Sequence, residues 1–163
     1  FLHANRVGVL LPRAPARAND ARNRVARMML MRRFHKLVLI NGKPKIGAGT
    51  RIGIFSEVYD KGGIVKIGAY CDIASFVAIN CADSHRRTIG FSSADGYPDI
   101  RPITIGSHVF IGSHSFVGGD VSIGDNVVVA AGTILRRGEQ VPSYSLVFGN
   151  PPTIKVGYYA RKA

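Results

Sequence analysis

The sequence predicts an all-β fold, a three-sided parallel β-solenoid over residues 46–154. Three observations carry this: aliphatic side chains recurring every sixth position, a small residue directly after most of them, and two places where the recurrence is interrupted. The aliphatic series runs Ile46, Ile52, Val58, then Ile67, Ile73, Ile79, then without a break from Ile105 through Ile111, Val117, Ile123, Val129, Leu135 and Val141 to Val147. A spacing of six matches neither the 3.6 of a helix nor the 2 of a flat strand. Glycine and β-branched residues at this density would also destabilise a helix interior. A short fixed period is the mark of a solenoid.

The geometry follows from the spacing. Six residues make one short strand and a corner, and three such units close a triangular coil. Residues one full coil apart then stack, Ile105 over Ile123 over Val141 and Ile111 over Val129 over Val147, with coils ~4.8 Å apart. The small residue after the aliphatic (Gly47, Gly53, Gly68, Ala74, Gly106, Gly112, Gly118, Gly124, Ala130) is expected to let each corner turn without a Cβ clash. Four residues after the aliphatic a second small or β-branched side chain recurs, among them Thr50, Ser56, Cys71, Val77, Val109, Ser115, Val127 and Thr133.

The first 45 residues are different in kind. They hold eleven Lys and Arg against one acid, Asp20, for +10 of the total +12, so the rest of the chain is nearly balanced. Residues 1–18 read as a loose lead-in. Residues 19–36 read as a helix capped by Asn19 or Asp20, with Val25, Met28, Met29 and Met31 on one side and Arg22, Arg24, Arg27, Arg32 and Arg33 on the other. Such a helix either packs on the end of the solenoid or makes peripheral contact with anionic lipid. A nucleic-acid partner is not expected, because the basic residues are not interleaved with aromatics on the folded part. Two cysteines and no signal-peptide pattern point to a cytoplasmic location, at most at the inner face of a membrane. A basic tail follows at 155–163.

The interruptions place the chemistry. DKGG (Asp60–Gly63) is a small insertion between Val58 and Ile67. A longer one lies between Ile79 and Ile105, where residues 83–102 leave the coil as a loop, and a long loop in a regular solenoid usually serves binding. It carries His85, Arg86, Arg87, Asp95, Tyr97 and Asp99.

The rows ITIGSHVFIGSH, VSIGDNVVVAAGTI and VFGNPP resemble the hexapeptide-repeat acyltransferases, closest in look to the sugar O-acetyltransferases, over roughly residues 46–154. The resemblance implies a left-handed coil, a homotrimer with active sites between subunits, and acetyl-CoA or another acyl-CoA as donor, with no metal. It implies transfer to a hydroxyl or amino group of a saccharide or lipid-linked sugar. His85, at the entrance of the loop, then corresponds to the family's catalytic histidine, and imidazole suits removal of the acceptor's proton. Asp83 either orients that ring, completing a candidate catalytic pair, or caps its own backbone. Arg86, Arg87, Asp95 and Tyr97 are the candidate acceptor-binding residues.

For the cofactor, the resemblance points to Gly112 and Ser113 along the pantetheine, and to the row Ala130-Ala131-Gly132-Thr133. Arg136 and Arg137 follow, with forked donors suited to phosphate, and Lys155 is a further cation for the nucleotide end. Phe110 stands where many relatives carry tryptophan and would cover the acyl group. Other readings of the same coil are a xenobiotic O-acetyltransferase, a γ-type carbonic anhydrase and a non-catalytic trimeric scaffold. The zinc reading requires converging imidazoles, whereas His108 and His114, six apart, occupy the same slot on adjacent faces and diverge.

Overall fold

The computed structural model describes residues 34–90 and 99–160, the side chains of Arg86 and Arg87 excepted. Three parallel sheets form the sides of a prism. The first face stacks β1 (Leu39–Asn41), β4 (Glu57–Tyr59), β7 (Ala78–Asn80), β12 (Phe116–Gly118) and β15 (Ile134–Leu135). The second stacks β2 (Lys45–Ile46), β5 (Val65–Ile67), β10 (Ile103–Ile105), β13 (Val121–Ile123) and β16 (Gln140–Val141). The third stacks β3 (Arg51–Ile52), β6 (Asp72–Ile73), β11 (Phe110–Ile111), β14 (Val128–Val129), β17 (Leu146–Phe148) and β18 (Thr153–Lys155). Within each face the order along the prism is the order in sequence, one strand per coil, and the coil is left-handed.

The expected stacks are present in register: Ile105 pairs with Ile123 and Ile123 with Val141, while Ile111 pairs with Val129 and Val129 with Val147. All of these side chains are buried on the axis, as are Val117 and Leu135. The second inward slot is buried too, and hydroxyls in it bridge to neighbouring coils at Thr50 and Ser56. Thr50 Oγ1 donates to the carbonyl of Gly68 at 2.7 Å and accepts from the amide of Cys71 at 3.1 Å. Ser56 does the same with Ala74 and Val77. Buried hydroxyls are tolerated where a backbone partner meets them, and Ser145 Oγ is the exception, buried with no hydrogen-bond partner among the described residues.

The small residue after each aliphatic has a different cause from the one expected. The corner residue that takes a left-handed backbone lies two positions later, and it is frequently not glycine: Phe55, Tyr70, Phe76, His108, His114, Asn126 and Tyr144 all have φ between 55° and 61°. What the small residue provides is room between coils. A Cβ on Gly68 would stand 2.4 Å from the carbonyl oxygen of Gly106, and one on Gly112 would stand 2.4 Å from the amide nitrogen of Ala131. The bulky corner residues then stack outside the prism, Phe55 on Phe76 and Phe76 on His114 along one edge, and Tyr70 on His108 along another.

The coil begins earlier than the sequence spacing suggested. β1 pairs with β4, Ile40 against Val58, so the recurrence extends back from Ile46 to Ile40. Most of the expected helix over 19–36 lies outside the described residues, and its last three positions form a turn, in which the amide of Val38 donates to the carbonyl of His35 at 2.9 Å. At the other end the chain reverses after Phe148, and β18 runs antiparallel to β17. The inserted DKGG turn is organised by Asp60. Its buried carboxylate accepts from the amides of Ile64 and Val65 at 2.8 and 3.1 Å and of Lys43 at 3.2 Å. Gly62 and Gly63 both have positive φ, a conformation other residues adopt there only under strain.

Candidate functional site

The long loop leaves the prism at the corner between the first and second faces. Its two ends are held side by side, because the amide of Arg101 donates to the carbonyl of Cys81 at 2.8 Å. From that closure β8 (Ala82–Asp83) and β9 (Asp99–Ile100) project as a short antiparallel ladder, with Asp83 directly opposite Asp99. One turn of helix, α1 (His85–Thr88), follows β8.

Asp83 makes both of the contacts between which the sequence left a choice. Its Oδ1 accepts from the backbone N–H of His85 at 2.9 Å and lies 2.7 Å from Nδ1 of the same histidine. The first contact caps the turn into α1. The second occupies Nδ1, so that in the neutral imidazole Nε2 is the nitrogen left to accept a proton, the tautomer a general base needs. Those two hydrogen bonds hold the Asp83 carboxyl below the usual carboxylate range, the backbone one contributing most. Both side chains are more than half exposed, so Nε2 is reachable.

Two grooves meet at Asp83, which lines both. One is lined by Ala82, Asp83, Asp99, Arg101, Phe116, Gly118, Arg136 and Arg137. The other is lined by Glu57, Tyr59, Lys61, Asn80, Asp83 and Ser84. The sequence reading passed over this second set. Its signal was available: register places Tyr59 and Asn80 in adjacent outward slots of the first face, on the coils at the loop's root. Cys81 sits beneath, its thiol pushed up by burial, as is that of Cys71.

The residues singled out for the cofactor divide between two corners. Gly112, Ser113, Ala130 and Ala131 lie at the corner between the third and first faces. There Gly112 packs directly against Ala131, and the amide of Gly132 donates to the carbonyl of Ser113 at 2.9 Å. Phe110 projects from the third face between Asp72 and Val128, partly exposed. Lys155 lies farther along that face, its Nζ 5.5 Å from the ring centre of Phe148 and 5.9 Å from that of Tyr158. Arg136 and Arg137 lie at the opposite edge of the first face, with Asp83. Arg136 donates to the side-chain oxygen of Asn150, and Arg137 lies 3.8 Å from Asp99 and 3.9 Å from Asp120. The structure therefore groups the two arginines with the loop base rather than with the alanine row.

Of the acceptor candidates, Asp95 and Tyr97 lie outside the described residues, and Arg86 and Arg87 are placed only by their backbone in α1. His108 and His114 sit on different edges of the prism, stacked on Tyr70 and Phe76 at centroid distances of 5.4 and 4.9 Å.

Comparison with known proteins bears on the same features. Residues 102–137 match the family model for the bacterial transferase hexapeptide (six repeats). No curated protein matches the chain. Among solved structures, the chain is similar to AntD, an N-acyltransferase from Bacillus cereus in complex with dTDP and 3-hydroxybutyryl-CoA. The two share 23% identity over 77% of this chain and 67% of that one, with a TM-score of 0.62. It is similar to a maltose O-acetyltransferase from Clostridium difficile 630 at 21% identity over 87% and 77% of the two chains, TM-score 0.54. It is also similar to the polySia specific acetyltransferase NeuO at 27% identity, covering 77% of this chain and 51% of that one, TM-score 0.50. The chain thus spans about two thirds of AntD and half of NeuO. With fifteen parallel strands wound in register on a six-residue recurrence, this chain is a left-handed parallel β-helix whose residues 102–137 carry the bacterial transferase hexapeptide pattern.

Proposed function

We propose that the chain is a coenzyme A-dependent acyltransferase that acylates a hydroxyl or amino group of a saccharide, with His85 as general base. The observation that carries this is the Asp83–His85 pair at the root of the loop, with Nδ1 engaged, the ring more than half exposed, and two grooves meeting at Asp83. Nε2 takes the acceptor's proton as the acceptor oxygen or nitrogen attacks the thioester carbonyl, and the CoA thiolate leaves. AntD in complex with an acyl-CoA, and NeuO as a saccharide acetyltransferase, support the donor and acceptor classes.

The residues fit the donor. The amides of Ser113 and Ala131 make no hydrogen bond among the described residues. They are free to meet the pantetheine amides, or to stabilise the oxyanion as it forms. Phe110 offers an apolar surface for the acyl group, taken to be acetyl, and Lys155 a cation for phosphate. Coenzyme A would supply an activated acyl group; the protein would supply the base, the oxyanion donors and the orientation. The Tyr59–Asn80 groove would hold the acceptor sugar, a ring face with an amide beside it.

The cofactor corner and His85 stand at opposite edges of the first face, a strand and its corners apart. In this reading a neighbouring copy completes the site, so the working form is a homotrimer. Calorimetric titration of the full chain with acetyl-CoA tests the proposal: saturable binding in the micromolar to low-millimolar range supports it, and no heat at millimolar cofactor favours a scaffold.

A further inference from the structure

Asp83 and Asp99 are directly opposed in the β8–β9 ladder. Residues so placed in an antiparallel pair share a face, with Cβ atoms about 4.5–5.5 Å apart, and like charges there repel. Left alone, Asp99 would work against the ionised Asp83 that orients His85. It is not left alone. Arg101 Nε lies 2.9 Å from Asp99 Oδ1, in an orientation that makes the contact an ion pair rather than a hydrogen bond. Arg137 Nη1 approaches the other oxygen, Oδ2, at 3.8 Å, while its Nε faces Asp120 at 3.9 Å. Asp99 is the more sheltered of the two acids, at 22% exposure against 61% for Asp83, so its charge is the one screened less by water.

The chain fixes this arrangement from two directions. Arg101 is anchored at the loop closure by its amide, and its stem packs on Gly119, where a Cβ would stand 2.8 Å from the Cβ of Arg101. Arg137 comes from two coils farther on, at the turn after β15, with Asp120 on the coil between. Among the described side chains, the other charged or titratable groups beside the pair are Glu57, Tyr59 and Lys61 across the second groove, Cys81 in the first, and Arg136, which is held by Asn150; Arg86 and Arg87 follow His85 in α1.

We propose that Arg101 and Arg137 are positioning residues for the Asp83–His85 pair, acting by neutralising Asp99 so that one carboxylate, not two, faces the imidazole. This rests on His85 being the general base. It assigns Arg137 to the loop base and not to the phosphates of the cofactor.

The test separates the two claims. The imidazole of His85 is titrated by NMR in the full-length protein, in the wild type, in Arg101→Gln/Arg137→Gln, and in that double variant carrying Asp99→Asn as well. Uncompensated charge on Asp99 favours the imidazolium, so the double variant shifts the His85 midpoint upward by about half a unit to one unit. Removing the charge with Asp99→Asn returns it to the wild-type value. The acidic limb of kcat/KM moves with it, and KM for acetyl-CoA stays the same. A midpoint that is unmoved or lowered, or an upward shift that Asp99→Asn does not reverse, overturns the proposal. So does a rise in KM for acetyl-CoA without a shift, which would place Arg137 on the cofactor. The NMR arm needs no turnover, so it stands or falls independently of the acyltransferase reading.

Discussion

Replacing Asp83 by asparagine isolates what the carboxylate contributes to the histidine. Asparagine retains an oxygen able to accept from the amide and Nδ1 of His85, so the turn into α1 and the ring orientation survive; only the charge is lost. Hydrogen bonds to an ionised partner contribute about 1.5–3 kcal/mol, against about 0.5–1.5 for neutral pairs. Here both side chains are more than half exposed. Solvent screening therefore brings the difference down to about 1 kcal/mol, or roughly fivefold in rate. The assay is release of CoA thiol at saturating acetyl-CoA, with kcat/KM for the acceptor measured across pH. Because the folded-state pKa of Asp83 is lowered, its favourable contribution is complete above the ordinary carboxylate value and disappears as pH falls through the depressed one. The fivefold loss is therefore expected on the plateau of the profile and shrinks on its acidic limb, because the charge removed with Asp83 is also one that favours the imidazolium. An unchanged rate would mean that the ring needs no orientation by charge, and a thousandfold loss would mean that Asp83 handles the proton itself.

Two further predictions concern the scaffold. Ile123→Ala removes a fully buried side chain held in register between Ile105 and Val141, and should cost about 2–5 kcal/mol in denaturant unfolding. A cost under about 1 kcal/mol would mean that the axis repacks freely. Asp60→Ala leaves the amides of Lys43, Ile64 and Val65 without their acceptor; about 2–4 kcal/mol of destabilisation is expected by the same measurement, since Val65 is buried and Ile64 half-buried.

Much of this molecule could be read in one dimension because a solenoid is nearly one-dimensional. Each coil touches only its neighbours, so the spacing of Ile105, Ile123 and Val141 already contains their stacking. The same locality explains the misreadings. Glycine after each aliphatic looked like a turn residue. It is required by the next coil's backbone, a contact that spacing alone does not reveal, whereas the turning conformation falls to Phe55, Phe76 or His114. Ile40 was one more member of the recurrence, passed over among the basic residues that surround it. His85 drew attention because it stands where the period fails; for Asp83 the sequence left open a bond to that ring or a cap on its own backbone, and the structure shows both contacts. Arg136 and Arg137 were assigned by their place in a row. Their partners Asn150, Asp99 and Asp120 come from other coils and from the far end of the loop, which no local pattern brings together.

The central claim is that His85 Nε2 accepts the acceptor's proton during acyl transfer. It is tested most directly by the turnover of His85→Ala on an acetylated saccharide's parent acceptor, with cofactor affinity measured on the same preparation. The account predicts a loss of about 10²–10⁴-fold in kcat with acetyl-CoA binding unchanged. Turnover equal to the wild type would contradict it.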